Sequence, residues 1–464
     1  MVPSEGKPID RFVKNILDTR FEDIEQVSID QAKLRIIDTV GCLIGGAFDP
    51  GNPEFVRLLK SQGGIEEATI LMYGDRIPVG NAAMANCILC RSFDFEPVSP
   101  VVDGQMVPGH ISGTTVMTAL SMAEAQGAGG RELITALLVG DDITSRILAT
   151  SGFNIDLGWD GNGTANAFGA TAIAGRLMGL TKVQLKHAMG LVLSQLSGSM
   201  QNIWDGTPAF KLPQGLSARN GIFSAQLAAA GWTGPDDALL SPFGYYYLYT
   251  KGLVNGDLLT KDLGKKYYAD RAIKPYPSCR ATHDLIENAI DMMNEYSFNL
   301  EDVNTVHVYM PDFSINNFCG KTFETGPFPH SDAAFSYKYT LAAAMIYRSV
   351  RPEHFRTEII SDPLMTELVN KIELSPWPDQ LSKETKINVI LKDNKEYNLI
   401  CKNRNKGDFI NNPLSHEEFL AKYLNNVEYS QKISREKGEK IYAILDKLES
   451  LDRIDELIKL LLPG

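Results

Sequence analysis

The sequence has no run of apolar residues approaching the ~20 that a membrane-spanning helix needs. Its opening stretch, MVPSEGKPIDRFVKNILDTRFED, lacks an apolar segment long enough for a secretory signal, so a cytoplasmic protein is expected. Positive charge is in deficit: the formal net charge is -12, which opposes binding to nucleic acid or to an anionic membrane. A small anionic substrate is not excluded, because a few local lysines can reverse the field inside a cleft. Cysteine is sparse, with six scattered thiols in 464 residues, as in a cytosolic protein with reduced thiols. Cys87 and Cys90 form one C-x-x-C, but no second pair follows at zinc-ribbon spacing. They lie in an apolar helical stretch, so both read as core residues. There is no G-x-x-x-x-G-K-[ST] loop, Rossmann fingerprint after a strand, G-x-S-x-G elbow or H-E-x-x-H pair. No nucleotide is therefore expected. No internal repeat or low-complexity segment is present.

The length allows two or three domains. Residues 1–268 read as a helical domain. Ser28-Ile29-Asp30-Gln31 looks like a capping box, and helices are expected over 131–148 and 164–177, with another capped by Thr181 and running to about Leu196. The central helices are apolar on most faces and rich in Ala and Gly, a composition that suits buried helices in close backbone contact. The texture then changes. Val306, Val308 and Met310 alternate with Thr305, His307 and Tyr309 as in a half-buried strand. Residues 386–391 and 396–401 flank Lys392-Asp393-Asn394-Lys395 as in a hairpin. Residues 269–407 thus read as an inserted α+β domain. From the capping box Ser415-His416-Glu417-Glu418, residues 408–464 read as helices returning to the first domain, with a break near Ser450. The expected fold class is mainly α with a smaller α+β unit.

The densest cluster of reactive side chains is Ile273-Lys274-Pro275-Tyr276-Pro277-Ser278-Cys279-Arg280-Ala281-Thr282-His283. Its prolines fix φ and keep the preceding residues extended, so Lys274 enters on a stiff segment, with a helix expected after Pro277 capped by Ser278. A cation at such a turn suits an anionic ligand, although an ordinary loop-to-helix junction has the same pattern. His110, between a Pro/Gly-rich loop and an apolar helix, is placed either as an acid/base or as a capping histidine. Asp94 and Glu96 sit among phenylalanines and form either a perturbed pair or helix-end polar residues. Asp160 belongs to a Gly-rich loop, Trp159-Asp160-Gly161-Asn162-Gly163-Thr164, whose amides can face an anion. Lys211, between apolar helices, either snorkels to solvent or meets an anion. Cys279 and His283 are one helical turn apart, but would need distant carboxylates to hold a metal, so no metal site is expected.

Together these segments resemble the MmgE/PrpD family, which includes 2-methylcitrate dehydratase, cis-aconitate decarboxylase and iminodisuccinate epimerase. The resemblance runs from Ile37-Asp38-Thr39-Val40-Gly41-Cys42 through Gly109-His110-Ile111-Ser112-Gly113, Phe168 to Gly175 and Gly215 to Gly221. It continues through a K-x-Y-P-x-C-x-x-x-H match from Lys274 to His283, then Phe335-Ser336-Tyr337-Lys338-Tyr339. It implies a helical domain with an α+β lid, a cleft between them, and a homodimer. It also implies that Asp94, His110, Lys274 and Tyr339 occupy functional positions of the cleft, with Lys211 within one residue of another. Four departures stand out. The family's D-F-D-D-[TS] stretch reads Asp94-Phe95-Glu96-Pro97-Val98, the segment from Asp94 to His110 is about six residues longer than in the decarboxylases, the H-P-S proline is Ile111, and a second histidine is replaced by Asp160.

The resemblance implies a cofactor-independent lyase, a dehydratase or decarboxylase, acting on a small di- or tricarboxylic acid through a carbanion beside a carboxylate. An epimerase or isomerase of a dicarboxylate, or a silent ligand-binding relative, is the alternative. Lys211 and Lys274 are expected to bind carboxylates, His110 to carry the proton with Asp94 as its partner, and Tyr339 to donate a hydrogen bond. Asp160 is expected to shape substrate choice. No redox cofactor or metal is required by this chemistry.

Overall fold

The computed structural model describes residues 6–152, 157–377 and 384–463. Six helices build the core of the first half: Gln26–Gly46, Val79–Cys90, Ser112–Gln126, Gly130–Thr150, Ala165–Leu177 and Leu212–Ala229. The Ala165–Leu177 helix packs against both Gly130–Thr150 and Leu212–Ala229, which in turn packs on Val79–Cys90. Small residues allow this closeness. A Cβ at Gly169 would stand 2.8 Å from the Gly140 carbonyl oxygen, and one at Gly221 would stand 2.7 Å from the Thr171 amide. Helices covered on every side need apolar residues all round, which is how these segments read. Cys87 and Cys90 are buried in this core.

The strands lie mostly in the second half. A four-stranded sheet has the order Ile372–Pro376, Val303–Met310, Lys386–Leu391, Glu396–Ile400, its first pair parallel and the others antiparallel. Val306, Val308 and Met310 are buried, following the period of two, and Val303 is buried across a register shift between Val303 and Thr305. The chain is therefore mainly α with a smaller α+β region. The His416–Ser430 and Arg435–Asp446 helices pack back on Gln26–Gly46. Among the described residues, no helix is long and apolar enough to cross a membrane.

Local signals succeeded and failed for identifiable reasons. Thr181 and Ser415 make both bonds of a capping box. Ser28 lies inside a helix that begins at Gln26, because tertiary packing carries the helix past the local signal. Ser278 does not cap. Its hydroxyl pairs with Thr282 Oγ1 at 2.8 Å, and a short 3-10 turn, Arg280–Thr282, precedes the His283–Glu295 helix. The long segment before His110 is a β-hairpin. Val98–Val102 pairs antiparallel with Gln105–Met106 across Asp103-Gly104, both at positive φ (51° and 82°), the backbone of a two-residue primed turn. Its first strand also pairs with Asp270–Ala272, tying the hairpin to the strand that leads into Lys274.

Candidate active site

The Val79–Cys90 helix ends in a 3-10 turn, Arg91–Phe93, closed by Asp94 at φ 48°. Aspartate tolerates this left-handed conformation better than most residues. The turn aims the Asp94 carbonyl and carboxylate together at Lys274. The Lys274 ammonium donates to both, with 2.6 Å to Oδ2, and its side chain is fully buried. Arg91 projects into the centre. Its Nη1 lies 2.7 Å from Asp94 Oδ1, forms an ion pair with Glu96, and stands 2.8 Å from His110 Nδ1. Two cations and two carboxylates thus meet in a buried lattice. Burial works against ionised Glu96, but Arg91 and His110 outweigh it and hold its carboxyl far below the usual range.

His110 is set by its surroundings. Asn166 Nδ2 donates to its carbonyl at 2.7 Å. Asp270 Oδ2 takes the amides of Ile111 (2.9 Å) and Ser112 (2.7 Å) and the Ser112 hydroxyl (2.7 Å), fixing the entry to the Ser112–Gln126 helix. His110 Nδ1 stands 2.8 Å from the Arg91 guanidinium, which can only donate, and 3.4 Å from Glu96 Oε1, which can only accept; taking the shorter bond from Arg91 puts the ring proton on Nε2. Burial and the nearby Arg91 and Lys274 cations push the imidazole down to about 4, against the pull of Asp94 and Glu96. His110 is thus a neutral ring at pH 7 that presents an N–H, an arrangement suited to polarising a substrate oxygen.

Beside this lattice is a cavity of about 350 Å³. Arg91, Asp94, His110, Asp160 and Arg280 form its polar end, and Val98, Met106, Met200, Ile203, Phe318 and Phe335 its apolar wall. Cys279 also opens into it. Asp160, whose carboxylate caps the Asn162 amide at 2.9 Å, has its acidity reduced by burial and the Asp94 charge, with Arg91 opposing. A larger groove of about 810 Å³ beside the hairpin holds only exposed Asp103, Asp257 and Lys261 as charged groups. The chemistry therefore assigns the site to the smaller cavity.

Of the residues expected from sequence, the cavity brings together Asp94, His110 and Asp160. Lys274 stands directly behind Asp94 and does not line the cavity. Lys211 is elsewhere: its ammonium reaches Asp49 (3.2 Å) and Asn52 (3.0 Å), and His330 holds the other Asp49 oxygen at 2.7 Å. Tyr339 is also withdrawn. Its hydroxyl donates to the His354 carbonyl and its ring packs on Phe323 and Phe355. Sequence reasoning missed Arg91, the cation at the cavity floor. Its signal was a charged residue ending an apolar helix, three positions before Asp94. Asp270 and Asn166, which brace His110 from distant segments, carried no local signal. Among the described residues, the one cluster with metal-ligand geometry is Asp94, Glu96 and His110, whose donor atoms lie within 4.8 Å of one another. Arg91 Nη1 touches all three and supplies the positive charge such a set attracts, so these residues do not fit a metal with Arg91 in place.

The MmgE/PrpD N-terminal domain matches residues 10–255 and the MmgE/PrpD C-terminal domain matches residues 276–448. The chain belongs to the MmgE/PrpD family. Among its curated relatives is a cis-aconitate decarboxylase of Aspergillus terreus, 25% identical over 346 residues, covering 70% of this chain and 69% of the relative. Enzymes of the same name from Mus musculus and Homo sapiens are 25% and 24% identical, covering 83% and 93% of this chain and 79% and 90% of theirs.

Proposed function

We propose that this protein is a lyase that removes CO2 from a small unsaturated di- or tricarboxylic acid, and that it works without metal or redox cofactor. The carrying observation is the cavity's polar end, where Arg91 and the His110 Nε2–H sit against an apolar wall. The similarity to enzymes named cis-aconitate decarboxylase supports loss of CO2 as the first reaction to test. A carboxylate of the substrate binds at Arg91 and Arg280. His110 donates to the oxygen on which charge accumulates as the C–C bond breaks, and the apolar wall desolvates the departing CO2. Lys274 acts through Asp94: it grips one carboxylate oxygen and leaves the other turned toward Arg91 and His110. Lys211 serves the junction between the two halves of the chain. Residues 269–407 act as the lid. Val98 and Met106 belong to the apolar wall, which suits the hydrocarbon part of such an acid.

Proton NMR in D2O tests the reading, with cis-aconitate, 2-methylcitrate, citrate and iminodisuccinate, each beside a His110→Ala control. Consumption of an acid with a new vinylic product and CO2, absent in the control, is the expected result. Loss of water instead marks a dehydratase, and deuterium entering Cα without net product marks an epimerase. Silence on all four acids overturns the reading.

A further inference from the structure

We infer that Arg280 is the residue by which this site demands a second carboxylate, and that buried His283 is the positioning residue that presents it. The inference rests on the lyase reading above only for which carboxylate stays and which leaves. It starts from the charges around the cavity. Arg91 and Lys274 are matched by the Asp94 and Glu96 carboxylates, and His110 is a neutral ring, so that lattice has no cation to spare for a ligand. Arg280 lines the same cavity and is half-buried, yet it makes no ion pair among the described residues. The acidic groups nearest to it are engaged elsewhere. Asp284 takes the Arg404 amide at 3.0 Å, Asp408 pairs with Arg271 at 2.7 Å, and Glu287 faces Lys406 at 3.8 Å. A cation withdrawn from water without a counter-ion is costly, and an anionic ligand relieves that cost.

Local structure sets the guanidinium. Arg280–Thr282 is the 3-10 turn that opens the His283–Glu295 helix, and residues three apart in such a turn stack in line, which brings Arg280 and His283 together. His283 is buried, with Nε2 3.2 Å from the Ser278 carbonyl and Nδ1 3.2 Å from Arg280 Nη1. A carbonyl only accepts and a guanidinium only donates, so both contacts require the same tautomer: Nε2 donates to Ser278 and Nδ1 accepts from Arg280. Burial, with Arg280 and Lys274 beside it, holds the imidazole well below its ordinary value, so the ring stays neutral and keeps that acceptor. The second hydrogen on Nη1 goes to the Lys406 carbonyl at 2.8 Å. One nitrogen is thereby filled by two neutral acceptors. The opposite edge, Nε with Nη2, has no hydrogen-bond partner among the described residues and is not sealed inside the protein. Two parallel N–H groups on that edge match the two oxygens of a carboxylate.

A division of labour follows. A carboxylate that leaves must shed its charge as CO2, and a strong ion pair would hold it back in the ground state. The uncompensated cation therefore grips the carboxylate that is retained, while the one that leaves sits toward His110 and the apolar wall. The substrate class is an acid with at least two carboxylates. A monocarboxylate lacks the group that Arg280 holds.

Calorimetric titration of the full-length protein with tricarballylate, a saturated tricarboxylate, and with butyrate, a monocarboxylate, tests this without turnover. The wild type should bind tricarballylate and not butyrate. Arg280→Met should weaken tricarballylate by about 30-fold or more, and Arg280→Lys by about 10-fold, since a point charge replaces the fork. Two histidine variants separate positioning from packing. His283→Gln keeps a donor for Ser278 but removes the acceptor at Nδ1, and should cost about 10-fold in binding. His283→Asn keeps that acceptor and should stay within about threefold of wild type. With whichever acid the wild type consumes, Arg280→Met and His283→Gln should raise KM by those factors and leave kcat within about fivefold. Tricarballylate binding that Arg280→Met leaves unchanged overturns the proposal, as does a wild type that does not bind it or that binds butyrate equally well. Equal effects of the two histidine variants overturn the positioning role. Arg280-dependent binding in a protein that consumes no acid removes the lyase reading and leaves the carboxylate site standing, whereas turnover with KM unchanged in Arg280→Met does the reverse.

Discussion

The molecule buries two clusters of similar composition, each with a lysine, an aspartate and a histidine. One joins Lys274, Asp94 and His110 through Arg91, and the other joins Lys211, Asp49 and His330 with Asn52. In the second, burial opposes ionised Asp49, but His330 and Lys211 prevail and hold its carboxyl below the usual range. None of its members lines the cavity beside Arg91 and His110, and they come from both halves of the chain. The first cluster has an extra guanidinium, an excess carboxylate in Glu96, and an open face. The comparison teaches that residue type does not separate a chemical cluster from a mechanical one. Access does: the first cluster lines a cavity and the second does not line it.

Four substitutions probe that contrast. The largest effect is expected from Arg91→Met, which leaves Asp94 and Glu96 short of a buried partner. Stability should fall by about 3–5 kcal/mol and turnover should vanish. Denaturant unfolding beside the activity assay checks both, and a variant of wild-type stability would mean the lattice is not held by Arg91. His110→Gln should separate the two properties, with turnover down about 100-fold or more and unfolding little changed, because His110 lies at the cavity edge. Asp49→Asn should do the reverse. It weakens a buried ion pair, costs about 2–3 kcal/mol, and leaves kcat within a few-fold. If Asp49→Asn loses kcat as heavily as His110→Gln, the two clusters do not differ as described. Gly104→Ala, at φ 82° in the hairpin turn, is the mildest, costing about 1 kcal/mol with KM more affected than kcat.

A pH titration sharpens the same contrast. Burial, against the Ser112 and Ile111 hydrogen bonds, pushes Asp270 up to about 7. Between its ordinary value near 4 and about 7, the unfolded chain has lost a proton that the folded chain keeps, so this group lowers stability as pH rises through that window. Asp270→Asn cannot titrate. The difference in melting temperature, variant minus wild type, should become more positive from pH 4 to pH 7 and then level off. A flat difference would place the Asp270 pKa near that of an exposed carboxylate.

Much of the fold was legible because its signals are periodic. The strand at Val303–Met310, the Thr181 and Ser415 caps and the all-apolar core helices are written in spacing alone. Asp103-Gly104 was equally explicit as a turn, yet it went unread because so short a hairpin has little alternation around it. The site was legible in part. Asp94, His110 and Asp160 stand in marked local contexts. Arg91 looks like an ordinary helix-end residue until the chain brings Glu96 and His110 around it. Lys211 and Tyr339 have the right chemistry for a cleft, but their orientation depends on Asp49 and the His354 carbonyl, far away in sequence. Asp270 reaches Ser112 across 158 positions, a relation that no local pattern encodes.

The hairpin at Val98–Met106 also bears on how such a protein can diversify. It forms part of the cavity wall, yet it is anchored by backbone pairing to Asp270–Ala272 and not by the charged lattice. Lengthening, trimming or recolouring it would reshape the space offered to a ligand while Arg91, His110 and Cys279 keep their places. It is a replaceable panel in an otherwise fixed frame, and a natural place for one lineage to part from another in what it accepts.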